Sequence, residues 1–250
     1  MKFSIIIATL NNQETIKRNL DSIKNQTFKN YEIVVIDGNS KDSTLEIFKK
    51  FKFENLKIKS QKGTGVYNAF NEGIRSSSGD VIVILNADDF FENNNALQII
   101  KNEFEKNHKI ELLMTNVKIL DEKNEIIRIY KNSFFKKYLF HFGYMPPHPG
   151  IFIRKDVYDK LGHFNENFKN AGDFEFLLRV LGKKKIRYNK INKFLVSMRS
   201  GGKSNKNLKS YLINTIEIKK ALKMNNYYSS YFLIIIRLFI KLFQFRKINL

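Results

Sequence analysis

Gly79-Asp80-Val81-Ile82-Val83-Ile84-Leu85-Asn86-Ala87-Asp88-Asp89 is the stretch that decides how this chain is read. Residues 81–85 form an unbroken apolar run, which marks a strand buried on both faces. Two adjacent acids follow it. Neighbouring carboxylates repel unless a cation lies near them. Oxygen-only ligands suit Mg²⁺ or Mn²⁺, and such ions commonly bridge to the phosphates of a substrate. The pair therefore points to a metal–diphosphate site. Taken by itself it is equally a solvated turn after a strand.

Working outward, the first half alternates strand and helix patterns. Phe3–Thr9, Tyr31–Asp37 and Leu56–Ser60 read as strands. Residues 14–24 carry Ile16, Leu20 and Ile23 at helical spacing, and 43–51 and 66–75 read as further helices. Short apolar strands separated by helices predict a mostly parallel sheet covered on both faces. Ligands of such sheets gather at the C-terminal strand ends. Thr9, Asn11, Asp37 and the Asp88-Asp89 pair all fall there.

The second half has another texture. Leu112–Leu120 and Ile126–Tyr130 flank Asp121-Glu122-Lys123-Asn124 as a hairpin. A helix is expected over 134–142. Met145-Pro146-Pro147-His148-Pro149-Gly150 holds all three prolines and must be a stiff irregular loop. Strands are expected at 150–154, 186–191 and 194–198, and helices at 157–161 and 174–181. Leu208–Met224 and 227–245 read as C-terminal helices. In the latter, Arg237, Lys241 and Gln244 share one stripe of an otherwise apolar surface. Its apolar run is shorter than the roughly 20 residues a membrane span needs, so a basic amphipathic helix lying on an anionic leaflet is expected. A helix packed on the domain or on a homodimer partner is the alternative.

The chain has 250 residues, enough for a sizeable core, and no cysteine, which excludes disulfides and thiolate chemistry. The N-terminus reads as a first strand rather than a signal peptide. Net charge is +20, from 44 basic and 24 acidic residues. Such a field favours polyanions or phosphorylated substrates. No nucleic-acid-binding motif accompanies it.

Several motifs now stand in order, and together they resemble the family 2 glycosyltransferases with the GT-A fold. They are Ser4-Ile5-Ile6-Ile7-Ala8-Thr9-Leu10-Asn11-Asn12, the run from Gln26 through Asp37 to Thr44, Tyr67-Asn68-Ala69-Phe70-Asn71-Glu72-Gly73, Asn86-Ala87-Asp88-Asp89, Asp173, and Met198-Arg199-Ser200-Gly201-Gly202. The last is similar to a loop of members that build bacterial surface polysaccharides. Related polysaccharide enzymes often have acids near Gly63 and Asn68, which this chain lacks, and two motif positions also depart from the family pattern. Asn86 stands where many members have Asp, and Phe70 where many have Arg.

The resemblance implies a GT-A domain over residues 1–204, with a nucleotide-sugar half (1–110) and an acceptor half (111–204). Residues 205–250 are then a helical, membrane-associating extension. It implies an inverting transfer from a nucleotide-sugar donor, a UDP-sugar favoured, to a saccharide acceptor. That acceptor is expected to be lipid-linked, on the cytoplasmic face of the inner membrane, in surface-polysaccharide assembly. Thr9, Asn11, Asp37, Asn71 and Asp88 are expected to contact the donor. Asp89 with Asp88 is expected to hold Mn²⁺ or Mg²⁺, and Asp173 to act as base. His148, Glu175, Arg199 and Lys203 are candidates for acceptor or diphosphate contacts. The competing readings are a non-catalytic nucleotide-sugar or polyanion binder and a nucleotidyltransferase. The second of these expects a glycine- and basic-rich loop after its first strand, which Ala8-Thr9-Leu10-Asn11-Asn12 is not.

Overall fold

The computed structural model describes residues 1–184, 186–200 and 208–242, the side chains of 208, 209 and 238–242 excepted. The first half is built as β1 (Phe3–Thr9), α1 (Ile16–Lys24), β2 (Tyr31–Asp37), α2 (Thr44–Lys50), β3 (Leu56–Ser60), α3 (Val66–Ser76) and β4 (Val81–Ile84). Its strands pair in parallel, β3-β2-β1-β4. Successive side chains of a strand point to opposite faces. Ile5 and Ile7 accordingly join a core with Leu20 and Phe48, while Ile6 packs with Phe70 and Ile74 on the other face.

Beyond β4 the sheet becomes mixed. β5 (Phe90–Phe91), α4 (Ala96–Lys106), β6 (Leu112–Leu120), β7 (Ile126–Tyr130) and β8 (Ile151–Arg154) precede α5 (Lys155–Leu161) and α6 (Gly172–Leu177). β8 lies antiparallel between β4 and β6. β9 (Tyr188–Arg199) runs parallel to β6, and β5 closes that edge. The hairpin of β6 and β7 forms as expected.

Four local expectations change. The residues expected as two last strands form one, because Asn192, which interrupts their apolar pattern, is held by Asn116 Nδ2 (2.7 Å) at an irregularity in the β6–β9 register. Residues 134–142 are not an α-helix but two 3₁₀ turns, Asn132–Phe134 and Lys137–Phe142. α6 ends early and continues as π-helical turns, Leu178–Lys183. α4 and β5 have no counterpart in the sequence reading.

The last two helices are α7 (Leu208–Met224) and α8 (Tyr231–Leu242). Ile218, Ala221, Leu222 and Ile234 share a core with Phe140 and Phe174, so this segment packs against the second half of the chain. Arg237 does not join an outward basic stripe. It is 3% exposed, while Tyr231, Phe232 and Ile235 cover the outer face. The side chains of Lys241 and Gln244 lie outside the described residues. Among the described residues no helix is long and apolar enough to cross a membrane.

Candidate active site

The donor residues read from sequence gather at the ends of β1 and β2. Thr9 and Asp37 are register partners, and Gly38 N–H donates to the Thr9 carbonyl at 2.8 Å. Both Asp37 oxygens are engaged by Ser40, through its N–H (2.9 Å) and its hydroxyl. Thr9 donates to Asn12 Oδ1 (3.0 Å). Asn11 adopts φ +54°, a left-handed conformation that Asn tolerates, and its Oδ1 accepts Lys41 N–H. These side chains make a cross-bonded rim where the strand ends meet.

The acidic pair divides. Asp89 is 1% exposed, and its Oδ2 accepts Asn86 Nδ2 at 2.9 Å. Asp88 is half-buried, has no side-chain hydrogen-bond partner among the described residues, and faces a cavity of about 270 Å³ with Arg18, Phe90 and Arg199. Burial pushes both carboxyls up, Asp89 further still under the repulsion of Asp88, while the Arg199 cation opposes the shift at Asp88. The sequence reading gave the metal to Asp89 first. The geometry instead leaves Asp88 as the carboxylate open to a ligand. It also explains the Asn86 departure, since an amide there donates to buried Asp89 where a second carboxylate would repel it. Among the described residues no three His, Cys, Asp or Glu side chains form a ready ligand cluster. Mg²⁺-type sites need none, since one or two carboxylates with water and substrate phosphates suffice, and Asp88 fits that chemistry.

Arg18 stacks on Phe90, 3.6 Å from the ring centroid, and donates to Asn124 Oδ1 in the β6–β7 turn. A guanidinium so held lies beside the same cavity as Arg199, where a diphosphate would be welcome. The sequence reading missed it, since its signal was one Arg in the first turns of α1.

Asp173 sits in the first turn of α6. Its Oδ1 accepts the Tyr67 hydroxyl (3.1 Å) and the Phe174 N–H (2.8 Å). Its Oδ2 has no partner from any other described residue, and the side chain lines a second cavity of about 210 Å³. Burial raises its pKa, opposed by His148 and by these hydrogen bonds. His148 lines the same cavity, stacked on Phe70 (5.8 Å, 20°), and burial lowers its pKa. Phe70, the other departure from the family pattern, thus serves as an aromatic wall for His148. The two cavities flank the paired ends of β6 and β9. Leu120 and Arg199 line the first, Ile119 and Met198 the second.

Two candidates are structural instead. Asn71 is buried and fully used, donating to the Phe164 carbonyl (2.9 Å) and Glu166 Oε1 (2.7 Å) and accepting Phe164 N–H (3.0 Å). It fixes the loop after α5 and lines neither of the two cavities described above. Glu175 is buried and pairs with Arg179, whose guanidinium also binds the carbonyls of Leu161, Gly162 and His163. On a helix, two residues on from Asp173 points elsewhere. Lys203 lies outside the described residues.

Glu217, on α7, was also missed. Its carboxylate accepts the N–H groups of Lys169, Asn170 and Ala171 (2.8, 2.8 and 2.9 Å), immediately before Asp173. No local sequence signal links positions so far apart.

Residues 4–163 match the family described as Glycosyl transferase family 2. The chain belongs to that family. This glycosyltransferase is 27% identical over 212 residues to an uncharacterized glycosyltransferase of Methanocaldococcus jannaschii, covering 81% of this chain and 72% of the relative. It is 40% identical over 112 residues to the dolichyl N-acetyl-alpha-D-glucosaminyl phosphate 3-beta-D-2,3-diacetamido-2,3-dideoxy-beta-D-glucuronosyltransferase of Methanococcus voltae, covering 40% and 35%. Its fold is that of Staphylococcus aureus TarS 1-349, solved with UDP-GlcNAc (TM-score 0.68, 20% identity, 89% and 66% covered). It is also that of the Pyrobaculum calidifontis mannosyltransferase PcManGT, solved with GDP-Man and Mn²⁺ (TM-score 0.66, 14% identity, 89% and 63% covered). The glycosyltransferase thus spans about two thirds of those solved chains and between 35% and 72% of the two relatives. The expected GT-A fold is borne out.

Proposed function

We propose that this glycosyltransferase inverts the anomeric carbon of a nucleotide-diphosphate sugar in a single in-line displacement by an acceptor hydroxyl. The observation that carries the reading is the state of Asp173. One oxygen is fixed by Tyr67 and the Phe174 N–H, and the side chain lines a cavity with His148. A carboxylate so oriented takes the hydroxyl proton as the oxygen attacks. The C–O bond to the acceptor forms as the bond to the diphosphate breaks, and the nucleoside diphosphate departs with the electron pair.

Asp88 is the residue that would hold Mn²⁺ or Mg²⁺, which when bound neutralises the diphosphate as a Lewis acid. Arg199 and Arg18 add positive charge beside that leaving group. Asp37 and Thr9 sit where the nucleoside would lie, and a UDP-sugar is the favoured donor. The acceptor is a lipid-linked saccharide of surface-polysaccharide assembly, met at the cytoplasmic face of a bacterial inner membrane. The exposed Tyr231, Phe232 and Ile235 on α8 and Leu212 and Ile216 on α7 give an apolar surface suited to that location.

Purified protein incubated with UDP-, dTDP- and GDP-sugars, with Mn²⁺, Mg²⁺ or chelator, tests the reading through released nucleoside diphosphate and through donor binding by calorimetry. Metal-dependent release from one donor, lost in Asp88→Asn, is expected. Binding without release, in the presence of an acceptor extract, would favour the non-catalytic binder.

A further inference from the structure

Arg237 is a buried cation with no counter-ion among the described residues. Nη2 donates to Thr215 Oγ1 (2.9 Å) and Nη1 lies 3.5 Å from Asn214 Oδ1. Nε has no hydrogen-bond partner, no carboxylate of the described residues forms an ion pair with the group, and the guanidinium lies 5.1 Å from the Tyr211 ring centroid. An aromatic face and neutral acceptors offset only part of the cost of burying a guanidinium, which a nearby anion would compensate more fully. Arg237 lines the cavity that holds Asp173.

A second guanidinium enters the same cavity. Arg128 on β7 lies 4.0 Å from the Tyr130 ring centroid, half-buried, with its side chain in the cavity wall. Among the described residues, the cavity is lined by two guanidinium groups and one carboxylate, Asp173. Both cations are Arg in a chain that carries most of its positive charge on Lys. Arg is the residue that grips phosphate or carboxylate through a planar fork. The cavity, about 210 Å³, is below the roughly 300–1,000 Å³ of a drug-sized site, so it suits a single small group.

We propose that this cavity is an acceptor subsite for an oxyanion, in which Arg237 and Arg128 hold a phosphate or carboxylate on the acceptor beside the hydroxyl that Asp173 deprotonates. The inference rests on the transferase reading and adds the acceptor's class. It also accounts for the inward turn of Arg237 on a helix whose outer face is apolar. The oxyanion has two sources: the phosphate that joins a saccharide to its lipid, or the carboxylate of an acidic sugar.

The test uses the full chain and three probes of equal tail length: octyl β-glucoside, octyl β-glucuronide, and the phosphodiester of glucose with octanol. Binding is read by calorimetry and transfer by product formation with the donor that supports turnover. At least tenfold tighter binding of one anionic probe than of the neutral one is expected, and which anion wins names the source. Arg237→Met should abolish that preference while its melting temperature stays level or rises, because an uncompensated buried charge is removed. A purely structural Arg237 would instead lower the melting temperature and leave the preference intact. Equal binding of all three probes by the native protein, or an unchanged preference in Arg237→Met and Arg128→Gln, overturns the proposal. Anion-selective binding with no transfer to any probe would keep the subsite and count against the transferase reading.

Discussion

The Tyr67 hydroxyl donates to Asp173 Oδ1 across 3.1 Å, joining the helix that follows β3 to the helix that carries the proposed base. Gly172 makes this approach feasible, since a Cβ there would come within 2.7 Å of the Tyr67 ring. Asp173→Asn should cut transfer by about 10²–10⁴-fold, the usual worth of a positioned base, with the melting temperature held. Full transfer by that variant would end the assignment of Asp173 as base.

Tyr67→Phe tests the same bond through pH. Burial holds the Asp173 pKa above the ordinary carboxylate value, and the Tyr67 hydrogen bond pulls it part of the way back. The base works deprotonated, so transfer should rise with pH through that raised pKa. Removing the phenol removes a bond to the charged form and should move the rising limb to higher pH. A limb that stays in place or shifts down contradicts this geometry.

The acidic pair should separate under mutation. Asp88→Asn is expected to weaken Mn²⁺ binding at least tenfold, on the scale of one lost charge-assisted contact, with little change in melting temperature. Asp89→Asn should act mainly on stability, because its carboxylate is buried against Asn86. Titration calorimetry with Mn²⁺ and thermal melts on both variants decide the matter. The opposite pattern would return the metal to Asp89.

Glu32 predicts a stability effect far from the chemistry. Its buried carboxylate accepts Ser4 Oγ, the Ser78 N–H and hydroxyl, and Lys57 Nζ, and its pKa is held at about 2. Burial alone would raise it, and these partners outweigh that. A depressed carboxylate contributes stability above its unfolded value, and that stability fades as pH falls from near 4.5 toward 2. Glu32→Ala strands the buried Ser4 hydroxyl and removes the acceptor of the Ser78 N–H, and should cost about 1–3 kcal/mol in denaturant melts at neutral pH. The difference from the native protein should shrink in acid.

Asn71→Ala should likewise destabilise by about 1–3 kcal/mol, since it leaves the Phe164 carbonyl and N–H without partners. Its donor KM should change little in protein that remains folded. A large KM effect with an intact melt would restore Asn71 to the donor site.

What the sequence disclosed follows from how local the signals are. β1, β2 and β4 are mostly apolar runs, and their ends place Thr9, Asp37 and Asp88 without any tertiary information. Asp173 could be named because it sits in a motif. Asn71 and Glu175 also sit near motifs, yet their partners, Phe164 and Arg179, are invisible without the fold. Amphipathic patterning failed on α8 for a related reason. A helical wheel cannot tell which side meets the core, and here Arg237 faces a polar cavity while Phe232 faces outward. The 3₁₀ turns over 132–142 are short segments whose apolar spacing suits several conformations.

Glu217 gathers three consecutive N–H groups of the segment that leads into Asp173, so the proposed base stands on scaffolding contributed by α7. The enzyme is therefore not a catalytic unit with a detachable tail. Recombination between relatives at a crossover near residue 205 would trade away the support of the base together with whatever targeting the last helices confer. A working chimera must inherit α7 and the loop at 169–171 from the same parent.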